Sequence, residues 1–193
     1  MREGQDIIQS YINNNFSHIF ICEEITSSLA GRIIQQVLSI KKHWDDNFIS
    51  ANERKIILYL IDCPGGSVSA SDAIADTIKQ LCREFTTVAA GLCASAAAKL
   101  LTEGKQRIAF PNTEIMIHQP LGTASGQATD ILIQSERVQK VRTRLYKDLA
   151  KRTGQAYEKI ADDCERDRYF TAEEALQYGL ITNIYRPGED ELP

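Results

Sequence analysis

The sequence predicts an α/β protein: a mainly parallel sheet with helices packed outside it. Two observations carry this. Short apolar runs alternate with segments whose apolar residues recur at helical spacing, and a run such as Ile56–Ile61 is continuously apolar, as strands buried on both faces require. Alternation of strand and helix implies right-handed crossovers between parallel strands.

Taken in order, His18–Cys22 (HIFIC) forms a first strand, and Leu29, Ile33, Ile34, Val37 and Leu38 give one apolar stripe on a helix over Thr26–Lys42. The polar stretch His43–Lys55 is expected as an exposed loop. Ile56–Ile61 (IILYLI) is a buried strand that ends in the turn Asp62–Ser67 (DCPGGS); Ala70, Ile74, Ile78 and Leu81 then mark a second helix. Phe85–Ala90 is another buried strand, followed by a helix from Ala96 to Glu103 with Gly104 as its expected C-cap. RIAF and EIMI, separated by Pro111–Asn112, make two further strands. A helix from about Ala128 to Arg152, closed by Gly154, would span about 37 Å. That is long for a compact domain, and its many charges fit a projecting arm that packs on another subunit. Thr171–Glu174 is a capping box opening a short helix, and Leu180–Tyr185 (LITNIY) is the last strand.

The 193 residues fit one domain with a sizeable core. A net charge of −4 gives no electrostatic footprint for nucleic acid or an anionic membrane. No apolar run approaches the ~20 residues of a membrane span, and the start, MREGQDIIQS, lacks the basic region and apolar block of a secretory signal. The five cysteines are scattered and odd in number, with no CxxC pair, which argues against a disulfide framework or a structural zinc site and for a reducing, cytoplasmic location. Cys93, two residues before Ser95, is either a reactive thiol or a small buried hydrophobe.

The chemistry centres on Gly91–Leu101 (GLCASAAAKLL), where one hydroxyl, Ser95, interrupts a run of small apolar residues. Serine tolerated in a tight helix contact would explain it, and so would a nucleophile at a helix start. In the second case the free N–H of Ala96, at the positive end of the helix dipole, meets an oxyanion formed on a carbonyl attacked by Ser95. A second donor would come from Gly65-Gly66, which lets backbone approach a ligand closely, although a tight turn alone also explains that pair. Serine needs a base. Of the three histidines, His118 ends the strand EIMI and is the best placed; Lys99, one turn after Ser95, offers a rival Ser–Lys dyad if burial depresses its pKa. An orienting carboxylate is also required, and spacing alone cannot choose it from 26 acids, though the cluster in DDCERDRYF is a candidate.

Together these segments resemble the proteolytic subunit of the ATP-dependent Clp protease, the ClpP family. The matching pieces are CPGGSV, GLCASAAAKLL, PNTEIMIHQPLGTASGQATDI and CERDRYFTAEEALQYGLI, in order from about His18 to Tyr185. The resemblance implies a spiral of ββα units, also seen in crotonases, with a protruding handle over about 121–152 that includes Gly126 and Gln127. The peptidase domain is then 18–185, preceded by an atypical segment 1–17 and followed by a tail 186–193. The implied roles are Ser95 as nucleophile, His118 as general base, Asp167 as orienting carboxylate, the N–H groups of Gly66 and Ala96 as oxyanion hole, and Arg166 as a sensor of subunit contact. This sequence departs from the family at Ala96, where a methionine is usual, at Lys99, where an apolar residue is usual, and before His18.

The function so implied is a serine endopeptidase with an apolar preference before the cut. It would assemble as two stacked heptameric rings, homomeric or mixed with a paralogue, and degrade unfolded polypeptides fed by an AAA+ ATPase. No cofactor or metal is expected, since ATP is used by the partner. Two other classes compete: a structural ring subunit serving an active paralogue, and a crotonase-type acyl-CoA enzyme that would not need Ser95, His118 and Asp167 together.

Overall fold

The computed structural model describes residues 11–13, 16–82 and 84–186, so most of the expected segment 1–17 and all of the tail 186–193 but Arg186 lie outside the described residues. Strand β1 (Tyr11–Asn13) pairs antiparallel with β2 (Phe16–Ile21), which runs parallel to β3 (Lys55–Cys63); β3 in turn runs parallel to β4 (Thr86–Ala94). Helix α1 (Ser27–Asp46) crosses from β2 to β3, and α2 (Val68–Leu81) from β3 to β4. The expected α/β class with parallel strands and crossover helices is what the chain adopts.

The sheet forks at β4. Its first half, Thr86–Ala89, pairs with β5 (Gln106–Ala109), and its second half, Leu92–Ala94, pairs with β6 (Glu114–Ile117). Beyond the fork β5 meets β8 (Asn183–Ile184), while β6 pairs antiparallel with β7 (Arg168–Phe170). Helices α3 (Ala96–Leu101), α4 (Ala128–Thr153), α5 (Tyr157–Asp163) and α6 (Ala172–Tyr178) complete the chain. One apolar core joins α1, α2 and α3 to the sheet through Ile21, Leu29, Ile33, Trp44, Ile74 and Leu100.

Several boundaries differ from expectation. The stretch His43–Asp46 continues α1, because Trp44 is fully buried and Lys41–Asp45 and Lys42–Asp46 pair along the helix. Gly104 does not cap α3, which ends at Thr102; Gly104 is packed so that a Cβ would stand 2.5 Å from Thr87 Oγ1. Of Leu180–Tyr185, only Asn183–Ile184 is strand. The strands β1 and β7 and the helix α5 have no counterpart in the sequence pattern because each is too short to show a period. The Thr171 capping box and the Gly154 cap are present as expected, the latter with φ +76°.

Candidate active site

The β4–α3 junction is built by glycine and a strained serine. At Gly91 a Cβ would lie 2.0 Å from Asp62 Oδ1, so the glycine makes room for that carboxylate, which accepts the N–H of Leu92 at 3.0 Å. Asp62 itself has φ +45°, at an irregularity in the β3–β4 pairing. Ser95 then adopts φ +56°, ψ −119°, a conformation that costs an L-residue about 1–3 kcal/mol. Its backbone is held from both sides: its N–H donates to the Met116 carbonyl of β6 at 2.8 Å, and its carbonyl accepts the N–H of Lys99 at 3.0 Å.

The fork of the sheet does the rest. Pairing of Ala94 with Met116 sets His118, two residues on, beside the end of β4. His118 Nε2 lies 2.7 Å from Ser95 Oγ, and His118 Nδ1 lies 3.0 Å from Asp167 Oδ1. The register of β6 and β7 selects that acid: Ile117 faces Arg168, so one step on, in an antiparallel pair, His118 faces Asp167. Gln119 fastens the same strip, its N–H donating to the Cys164 carbonyl and its Nε2 to the Glu165 carbonyl. Of the other acids in the cluster, Asp163 is taken by Arg168, Lys159 and the Tyr178 hydroxyl. With the proton on Nδ1, His118 donates to Asp167 and its Nε2 accepts from the Ser95 hydroxyl.

Facing Ser95 is the turn after β3. Ile25 N–H donates to the Gly65 carbonyl at 2.6 Å and Ser67 N–H to the Ile25 carbonyl at 2.7 Å, a parallel bridge that leaves the Gly66 N–H directed away from Ile25. Gly65 and Gly66 have φ +94° and +132°, and a Cβ on Gly65 would stand 2.7 Å from Ser95 Cβ and 2.9 Å from Ala96 N. Both glycines are therefore demanded by conformation and by contact. Among the described residues no backbone acceptor takes the N–H of Gly66 or of Ala96. These groups open into a groove of about 640 Å³ between this turn and the handle helix, which contributes Val138, Val141 and Arg144.

The rival groups are occupied elsewhere. Lys99 is buried, with its ammonium 2.5 Å from Asp72 and 2.8 Å from Glu103, so the Ser–Lys dyad does not form. Burial alone would raise Glu103, but Lys99, Lys79 and Arg152 outweigh it and hold its carboxyl below the ordinary value of 4.5. Cys93 is fully buried, and burial pushes its thiol well above 9.0, which suits a core residue and not a nucleophile. His18 Nδ1 lies 3.1 Å from the Tyr59 hydroxyl, and His43 is grouped with Asn47, both away from Ser95. Arg166 is exposed and makes no ion pair among the described residues. In the handle, Gly126 has φ +117°, and Gln127 is the N-cap residue of α4.

Asp62, Asp72 and the strain at Ser95 escaped sequence analysis. A φ above zero at a non-glycine residue leaves no mark in a sequence, and Asp72 meets Lys99 only because α2 and α3 pack together. Among the described residues, no helix is long and apolar enough to cross a membrane, and no group of three His, Cys, Asp or Glu is placed to hold a metal ion. The family model described as Clp protease matches residues 2–188, starting well ahead of His18, where the recognisable motifs begin.

Proposed function

Because the chain belongs to the Clp protease family, we propose that it is a serine endopeptidase acting through Ser95, His118 and Asp167. The observation that carries this is the unbroken hydrogen-bonded series Asp167–His118–Ser95, at 3.0 and 2.7 Å, beside two unclaimed backbone N–H groups. Ser95 Oγ attacks the peptide carbonyl as its proton passes to His118 Nε2. The carbonyl oxygen takes up the negative charge and is met by the N–H groups of Gly66 and Ala96; loss of one such donor costs about 3–4 kcal/mol of barrier. The C–N bond then breaks, and the leaving amine takes the proton from His118. Water, deprotonated by the same imidazole, attacks the acyl-enzyme and releases the acid, returning the proton to Ser95. Asp167 holds the imidazole in the tautomer this requires.

Ring assembly through the handle accords with Leu121, Leu132 and Ile133, which are 84%, 66% and 56% exposed, a concentration of apolar surface that marks an interface. Supply of unfolded chains by an AAA+ ATPase and a cytoplasmic site of action belong to the same proposal, and the chemistry at Ser95 calls for no cofactor. Fluorophosphonate labelling tests the proposal: Ser95 labels, and Ser95→Ala neither labels nor cleaves peptide while particle mass is unchanged. An assembled particle that never labels would identify a structural ring subunit instead.

A further inference from the structure

Beneath the proposed nucleophile lies a second, much smaller cavity of about 20 Å³. Val68, Lys99, Leu145 and Leu149 wall it in beside Ser95 and His118. That volume holds about one water-sized group. Val68, Leu145 and Leu149 are ordinary apolar packing, and the fourth wall is the stem of a lysine.

The stem is fixed by its charged end. The ammonium of Lys99 bridges Asp72 on α2 and Glu103 in the turn after α3. Asp72 is held in turn by Arg144 of α4 at 2.6 Å, and Glu103 by Arg152 at 2.5 Å and by Lys79. Lys99 and Glu103 keep only 7% and 3% of their side-chain surface exposed. A buried cation held by two carboxylates cannot swing aside without leaving buried charge unpaired. The floor of the cavity is therefore rigid where a free aliphatic chain would give way.

We propose that this cavity receives the substrate side chain on the acyl side of the scissile bond, and that the ion-pinned stem of Lys99 limits it to a short side chain such as that of alanine or serine. The inference rests on Ser95 being the acylated residue. It narrows the general apolar preference to small residues, because a leucine side chain would need the space that the stem and Leu145 occupy.

The test is a pair of short fluorogenic peptides identical except for alanine or leucine at the residue bearing the leaving group. Wild-type protein is expected to prefer alanine by at least tenfold in kcat/KM, the scale on which a hydrophobic pocket discriminates even a single methylene, where leucine exceeds alanine by three carbons. Lys99→Ala should raise the leucine-to-alanine ratio by at least tenfold. Lys99→Met, which restores a stem of similar length, should leave that ratio within about threefold of wild type. Leu145→Ala opens the cavity from α4 without touching the ion pairs and should shift the ratio in the same direction, so the question stands even if Lys99→Ala does not fold. Ser95 labelling is measured in every variant. A wild-type preference for leucine, or a ratio unmoved in the opened variants that label normally, overturns the pocket assignment. Absence of labelling in wild type overturns the nucleophile, and the pocket with it.

Discussion

Helices α3 and α4 form the two sides of one site and are built on opposite plans. All six residues of α3 are buried, Lys99 included, whereas among the 26 of α4 only Leu145, Tyr146 and Leu149 are. The chain can fix α3 by itself: a strand end, a strained serine, close-packed alanines and a closed set of ion pairs leave it one position. The first half of α4 has no such partner, and its apolar Ile131, Leu132 and Ile133 face outward. The side that holds Ser95 is preorganised within one subunit. The side that walls the groove depends on what covers it.

Four substitutions sharpen that contrast. The largest effect is expected at Asp167→Asn, which leaves the geometry but favours the wrong imidazole tautomer; kcat for peptide cleavage should fall about 10⁴-fold, and an unchanged rate would move the orienting role to another acid. Gly65→Ala puts a methyl against Ser95 Cβ and Ala96 N, so a loss of about 10²–10³ in kcat is expected, measured by acylation burst. On the α4 side, Ile133→Asp should hardly move the melting temperature of the isolated subunit but should lower particle mass in sedimentation. Full assembly in this variant would place the interface elsewhere.

The smallest signal separates the buried charge cluster from the exposed handle. Glu103 is depressed in the folded chain, so its contribution is complete above the ordinary value of 4.5 and is lost as pH falls through the lower folded one. Melting temperature should decline over that acid window. Glu103→Gln should lower stability by about 3 kcal/mol at neutral pH and flatten the acid decline; an equally steep decline would assign it to other carboxylates.

The sequence alone determined the α/β class, the β3–α2–β4 succession, the capping box at Thr171 and the long handle helix, because apolar period and cap chemistry are local properties. It also isolated Ser95, by the small residues around it, and His118, by its place at a strand end. It could not choose among the acids near Asp167 on chemical grounds, only by family likeness, since the choice depends on the β6–β7 register across the fork in the sheet. Nor could it explain Lys99. Its partners Asp72 and Glu103, and the Lys79 and Arg152 that share Glu103, come from α2, α4 and the turn after α3, and only their packing turns an out-of-place lysine into part of an ion-pair cluster beside Ser95. Local periodicity fixes where chain segments form; convergence of charge and hydrogen bonds across segments is a property of the folded whole.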